Sequence, residues 1–100
     1  MVSGIVMNIE YSARRLTYDD ASRIAQQVLS AAALSPSVVL SLEQTTETTT
    51  AALARLVLLR KQLLKAGRDL KVIGLSGRAN DLYEITRMSG LLPRSSRTRT

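Results

Sequence analysis

The order of hydrophobic patterns along the chain is the feature that most restricts its fold. Short β-type runs at residues 4–11, 38–42 and 69–75 alternate with three longer segments that have the 3.6-residue period of a helix. Residues 13–16 fit a further short strand. Strands that alternate with helices are typical of an α/β domain, in which right-handed crossovers join parallel strands. We therefore predict a single α/β domain, with a mostly parallel mixed β-sheet and helices packed against it.

Residues that favour helix ends flank the three helical segments: Thr17 with Asp20, Thr50, Gly67, Ser76 and Gly90. The Thr17 and Asp20 pair is a variant of the capping box, in which two side chains satisfy free amides at a helix start. The second helix is predicted from about Thr50 to Ala66, because Gly67 suits the left-handed position that follows a helix. The third is predicted between a Ser76 cap and Gly90.

Composition limits the chemistry that the chain can perform. One hundred residues, of which 45% are hydrophobic, suffice for one small core and leave no room for a separate catalytic domain. The chain has no Cys and no His, and so lacks the usual zinc ligands and the commonest general base. We predict a non-enzymatic protein with no metal site and no cofactor. No apolar run approaches the roughly 18 residues of a membrane span, and the first residues lack a signal-peptide pattern, so we expect a cytoplasmic protein without a membrane span.

The net charge of +6 raises the question of nucleic-acid binding. Three arginines, Arg94, Arg97 and Arg99, lie in residues 93–100, which have no apolar anchor and are predicted to form a basic, disordered tail after a domain at residues 1–92. The other basic residues are interspersed with acidic ones, and three tyrosines are the only aromatic residues. This pattern indicates a solvated surface and argues against a base-stacking platform.

The Thr-rich segment, "TTETTT" at residues 45–50, joins the second aliphatic run to the second helix. In α/β sheets, functional groups gather where a strand ends and a helix begins, because the helix start has free N–H groups that favour an anion. Two interpretations are open at this point. Thr49 or Thr50 caps the helix and the other threonines form a polar loop, or one hydroxyl is a functional phosphate acceptor.

The chain resembles a STAS domain, the fold of the bacterial anti-sigma factor antagonists, over "VVLSLEQTTETTTAALARLVLLRKQLLKAGRDLKVIGLSGRANDLYEITRMSGLL", residues 38–92. The segments "KAGRDLKVIG" and "MSGL" match the family closely, and "RRLTYDDASRIAQQVL" is similar to its first helical segment. The five residues "TTAAL" align with the family motif Asp-Ser-Ser-Gly-Leu. The resemblance implies that Thr50 is the phosphoacceptor and partner switch. It also implies a partner-binding surface at these residues: Thr48, Thr49, Ala51, Ala52 and Leu53.

This resemblance implies a function in transcription regulation through protein–protein interaction. The implied partner is an anti-sigma factor with serine/threonine kinase activity, and phosphorylation of Thr50 adds a charge of about −1.5 to −2 that disrupts an apolar or acidic interface. Thr49 replaces the Asp that precedes the acceptor in the family, Ala51 replaces the second Ser and Ala52 replaces the Gly. We expect these changes to alter which partner is recognised.

A second resemblance gives an alternative function. The small STAS subunit of the bacterial phospholipid-asymmetry ABC transporter also has a Thr followed by two small residues and Leu, as at Thr50 to Leu53. Here the implied partner is an ABC ATPase subunit, which the helix start contacts without phosphorylation. "GLSG" at residues 74–77 lacks the frame of a P-loop and is predicted to be a strand-to-helix turn. Leu58 lies off the main apolar row of the second helix, and two interpretations are open for it: an exposed apolar contact, or a buried position against the flanking helix.

Overall fold

The computed structural model describes residues 6–30 and 37–94. Its elements, in chain order, are β1 Val6–Glu10, β2 Arg15–Leu16, α1 Tyr18–Ser30, β3 Ser37–Leu42, β4 Glu47–Thr48, α2 Thr50–Lys65, β5 Asp69–Gly74, α3 Gly77–Ile85 and a short 3₁₀ helix, η1, at Met88–Gly90. The order of strands and helices predicted from the hydrophobic pattern is confirmed. The described residues form one α/β domain.

Three strands form the main sheet, in the order β1-β3-β5, and both pairings are parallel. A helix connects each parallel pair, so the chain runs β1-α1-β3-α2-β5, which is the connection that parallel strands require. The second sheet is a two-residue parallel ladder between β2 and β4, with Arg15 beside Glu47 and Leu16 beside Thr48. This small ladder holds the Thr-rich segment, since β4 lies within it.

The core combines side chains from the main sheet and from α1 and α2. Residues that are fully buried include Leu16, Leu40, Leu42, Leu53, Leu56, Leu59, Leu63, Leu70 and Val72. Burial alternates along β3: Leu40 and Leu42 are fully buried, whereas Val39 and Ser41 are half-buried. The core therefore seals one face of β3, and the other face is partly covered.

The predicted helix starts near Thr17, Thr50 and Ser76 and the predicted end at Gly67 are confirmed, and the end at Gly90 is not. In the capping box, the Thr17 amide donates to Asp20 Oδ2 at 3.0 Å and the Asp20 amide donates to Thr17 Oγ1 at 3.1 Å. Helix α2 ends before Gly67, which has a φ of 75°. Gly90 was predicted to end the third helix, but α3 ends at Ile85 because Arg87 adopts a left-handed conformation with φ 56°. Residues 88–90 then form η1.

Pro93 and Arg94, which the sequence assigns to the basic tail, contact the folded domain. The Val72 amide donates to the carbonyl of Pro93 at 3.1 Å, and Arg94 forms a parallel bridge with Val72 at the edge of β5. The Arg94 guanidinium lies 4.6 Å from the centre of the Tyr83 ring. Pro93 and Arg94 therefore pack against the domain, and the rest of the predicted tail, residues 95–100, lies outside the described residues.

Candidate functional site

The Thr-rich segment is fixed on one side by β2 and the residues before it. The amides of Thr46 and Glu47 both donate to the carbonyl of Arg14, at 2.8 and 3.0 Å. The Thr48 hydroxyl donates to the carbonyl of Leu16 at 3.0 Å. These carbonyl partners carry no sequence signal, because any residue supplies a backbone carbonyl. The segment is therefore part of a small sheet and differs from a freely solvated loop.

The turn between β5 and α3 fixes the other side. The amide of Leu75 donates to the Leu42 carbonyl at 3.1 Å, and that of Ser76 donates to the Thr45 carbonyl at 3.2 Å. One turn later the Ala79 amide donates to the Thr46 carbonyl at 2.8 Å. These three N–H groups donate to backbone carbonyls within residues 42–46, so they are not free to bind a phosphate. The prediction that "GLSG" is a strand-to-helix turn is confirmed.

Three of the threonine hydroxyls have structural roles. Thr45 is fully buried, and its hydroxyl donates to the Ala13 carbonyl at 3.1 Å. Thr48 bonds β2 as described above. Thr49 has the extended backbone of an N-cap, and its Oγ1 accepts the amide of Ala52 at 3.1 Å. Thr49 rather than Thr50 is therefore the cap of α2.

Thr50 is the first residue of α2 and is exposed. Its hydroxyl makes no hydrogen bond to any residue in the described part of the chain. The predicted site residues divide by exposure: Thr49, Thr50 and Ala51 are exposed, Thr48 is half-buried, and Ala52 and Leu53 are fully buried. The last two thus belong to the core beneath the helix start and offer no surface in this structure.

No acidic side chain of α2 neutralises the partial positive charge at the start of this helix. This helix has no acidic residue in its first turn. Glu47, which precedes the helix, accepts hydrogen bonds from Arg15 and forms an ion pair with it at 3.2 Å. An anionic group attached to Thr50 would therefore meet free helical N–H groups and a favourable dipole.

Two side chains lie beside β2: Tyr11, which follows β1, and Asp20, in the first turn of α1. The Tyr11 hydroxyl donates to the Arg15 carbonyl at 2.7 Å. Burial, followed by a hydrogen bond with Asp20 and the negative charge of that carboxylate, raises the pKa of Tyr11 to about 12. The hydrogen bond from Arg23, followed by that from the Thr17 backbone, holds the pKa of Asp20 below its usual range. Sequence reasoning missed Tyr11, because an isolated tyrosine after a strand gives no indication of which carbonyl it will bond.

A comparison with known proteins gives no assignment. No protein-family model matches the chain, and no curated protein matches it. Within residues 6–30 and 37–94, no group of three or more Asp or Glu side chains could hold a metal ion. Over the same residues, no helix is long and apolar enough to cross a membrane. The function must therefore be argued from the site itself.

Proposed function

We propose that this chain is a non-enzymatic, cytoplasmic regulatory module of the STAS type, which binds a protein partner through the start of α2 with Thr50 as its switch residue. One observation carries the proposal. Thr49 supplies the helix cap, the hydroxyls of Thr45 and Thr48 bond the backbone, and Thr46 is half-buried. Of the five threonines in the segment, Thr50 is thus the exposed one whose hydroxyl has no structural role among the described residues. The resemblance to the STAS motif aligns the phosphoacceptor with this same residue.

Phosphorylation of Thr50 is expected to change binding without disturbing the fold. A phosphate adds a charge of about −1.5 to −2 and three acceptor oxygens, and a helix N-terminus tolerates such a group well. The backbone around it is held by β2 and by the turn before α3, so the added charge acts on the partner rather than on the loop. In this scheme the partner is an anti-sigma factor with kinase activity.

A second candidate function is favoured by the exposed Ala51 beside Thr50. A small apolar side chain next to a hydroxyl forms a flat surface that another protein can approach closely. In this alternative the unmodified start of α2 packs against the ATPase subunit of an ABC transporter, and Thr50 contributes only its shape and one hydrogen bond.

The two candidates are tested by recovering the partner from source-cell lysate with tagged wild type, Thr50→Ser and Thr50→Glu. We expect the Ser variant to bind like wild type and the Glu variant to bind about tenfold more weakly, equivalent to about 1.4 kcal/mol. Gln27→Glu, which adds the same charge at an exposed position of α1, is the matched control and should bind normally.

Mass spectrometry of the recovered complex then separates the candidates. A kinase-like anti-sigma factor, together with phosphate on Thr50 in the unbound pool, supports the antagonist function. An ABC ATPase bound to unmodified chain supports the transporter function. Equal affinities of the Ser and Glu variants would eliminate Thr50 as a switch in both.

A further inference from the structure

A groove separate from the Thr50 hydroxyl runs between α2 and the C-terminal turn. It is lined by Ala54, Val57, Leu58, Lys61, Met88 and Leu91 and has a volume of about 270 Å³. Val57 and Met88 form a nearly buried floor, and Leu58 and Leu91 form the two walls, each 48% exposed. Since an apolar cavity of about 150 Å³ holds one benzene ring, this groove has room for one or two large apolar side chains.

The walls of the groove are anchored before any ligand arrives. Arg60 on α2 forms an ion pair with Asp69 at 2.8 Å, and its Nη1 donates to the Leu91 carbonyl at 3.3 Å. The Tyr83 hydroxyl donates to the Leu92 carbonyl at 2.7 Å. The turn that carries Leu91 is thus tied to both α2 and α3. A preformed groove binds with less loss of conformational entropy than one that must be ordered.

The charge on the α2 side of the groove has one sign. Helix α2 contains two arginines and two lysines but no acidic residue. Lys61 is the charged residue of the groove lining, and it forms no ion pair with any described residue. Lys65, one turn further along the same face, is exposed. An occupant with carboxylates beside its apolar anchors would complement this surface.

We propose that this groove binds an acidic amphipathic helix of a partner protein. The α2 side of the groove extends from Ala54 to Lys61, about 10 Å at the rise of an α-helix, which is long enough for two anchors spaced i and i+4, about 6 Å apart, on a bound helix. Met88 gives the floor a flexible side chain that adapts to different anchors. Carboxylates on the flank of the bound helix pair with Lys61 and Lys65.

A second copy of this chain fits the groove less well. If two copies packed through α2, the lysines and arginines of both helices would meet, and like charges across an interface are destabilising. The net charge of +6 adds a general repulsion between copies. The partner is therefore a different, acidic chain. The groove and the switch residue Thr50 both lie on α2. The inference therefore rests on the proposed function in one respect: the same partner protein is expected to contact both.

The test uses the full chain and a phage-displayed library of helical peptides with randomised surface positions. We expect enrichment of peptides with two apolar anchors three or four residues apart and flanking Asp or Glu. For the best synthetic peptide, fluorescence anisotropy should show that Leu58→Ser and Lys61→Glu each weaken binding about tenfold. Leu64→Ser, which alters an equally exposed leucine of α2 outside the groove, and Lys71→Glu, on exposed β5 surface, should leave binding unchanged.

A charge exchange makes the test sharper. Replacing the flanking acidic residues of the peptide with Lys should abolish binding to wild type and restore binding to Lys61→Glu. Enrichment of neutral or basic peptides, no enrichment at all, or equal losses in Leu58→Ser and Leu64→Ser would overturn the proposal. Binding to vesicles that contain phosphatidylglycerol, lost in Lys61→Glu, would assign the groove to a membrane surface instead. A dimer in sedimentation that Leu58→Ser dissociates would assign it to a second copy.

Failure here is distinguishable from failure of the proposed function. The groove is tested with defined peptides and with variants at Leu58 and Lys61, whereas the switch is tested by partner recovery with variants at Thr50. A chain whose partner responds to Thr50→Glu but not to Leu58→Ser retains the proposed function and loses this groove.

Discussion

At the scale of single residues, Gly74 is the position where the backbone of the site is most constrained. It has a φ of 97°, and a Cβ added there would lie 2.6 Å from the Cα and N atoms of Glu43. Backbone atoms cannot move aside as a flexible side chain does, and a positive φ is itself unfavourable for alanine. We expect Gly74→Ala to lower the free energy of unfolding by about 3 kcal/mol or more, measured by urea denaturation.

Gly90 supplies the matched control for this substitution. A Cβ at Gly90 would meet no atom within 4 Å, and its φ is not positive. Gly90→Ala should therefore change the free energy of unfolding by less than about 0.5 kcal/mol. Similar losses in the two variants would show that the end of β5 does not approach the backbone of Glu43 as closely as the structure indicates.

The sequence alone predicts where the site lies but not the role of each threonine. Thr49 and Thr50 are chemically identical, and either could cap a helix that begins at this point. The choice depends on the register of β4, because the pairing of Thr48 with Leu16 fixes the residue that follows as the one with an extended backbone. That register comes from tertiary contacts with β2. No local pattern in the sequence encodes it.

At the scale of elements, the start of α1 carries a testable electrostatic contribution. The reciprocal bonds between Thr17 and Asp20 satisfy amides at the helix start, and Arg23 adds an ion pair to the same carboxylate. Loss of a capping side chain costs about 1 kcal/mol, so Thr17→Ala and Asp20→Asn should each reduce stability by about that amount in urea denaturation at neutral pH.

The pH dependence of this effect has a defined sign. The folded state lowers the pKa of Asp20, through the hydrogen bond from Arg23 and then the Thr17 backbone. The resulting stabilisation is complete above the ordinary carboxyl pKa of 3.8 and is lost as the pH falls through the lower folded value. The stability difference between wild type and Asp20→Asn should therefore be largest at neutral pH and shrink in acid. A difference that grows in acid would contradict this assignment.

Helix ends differ in how well the sequence predicts them. The first two starts and the end at Gly67 follow from residues whose side chains or flexibility suit the position. The end of α3 was missed because Arg87 occupies a left-handed position that usually carries Gly or Asn. Arginine has no preference for that conformation, so its position in the fold, and not its identity, ends the helix.

At the scale of the whole molecule, the sequence predicted the α/β architecture because three β-type runs and three helical periods are each strong and well separated. It did not predict that Pro93 and Arg94 contact the domain. Residues 93–100 lack apolar anchors, and a tail follows naturally from that composition. Arg94 is nevertheless fixed through polar groups on β5 and α3, and such contacts between distant residues leave no periodic signal in the sequence.

Arg94 joins the last described residues to two elements of the domain, and its removal tests that role. Its Nη1 donates to the Gly74 carbonyl at 3.2 Å and to Asn80 Oδ1 at 2.6 Å, its Nη2 pairs with Glu84 at 3.3 Å, and the guanidinium stacks on Tyr83. Charge-assisted hydrogen bonds contribute about 1.5 to 3 kcal/mol, and an exposed ion pair contributes less. We expect Arg94→Ala to lower the free energy of unfolding by about 2 kcal/mol.

Two further variants separate geometry from charge. Arg94→Lys keeps the charge but lacks the planar fork that reaches Gly74, Asn80 and Glu84 together, so it should recover less than half of the loss. Arg78→Ala removes an exposed arginine of α3 that makes no ion pair with the described residues, and should change stability by less than about 0.5 kcal/mol. If Arg94→Lys had the same free energy of unfolding as wild type, the positive charge of Arg94 and not its geometry would account for the stabilisation. If Arg78→Ala and Arg94→Ala changed the free energy of unfolding equally, the contacts of Arg94 would contribute no stability, as expected for a residue of the predicted tail.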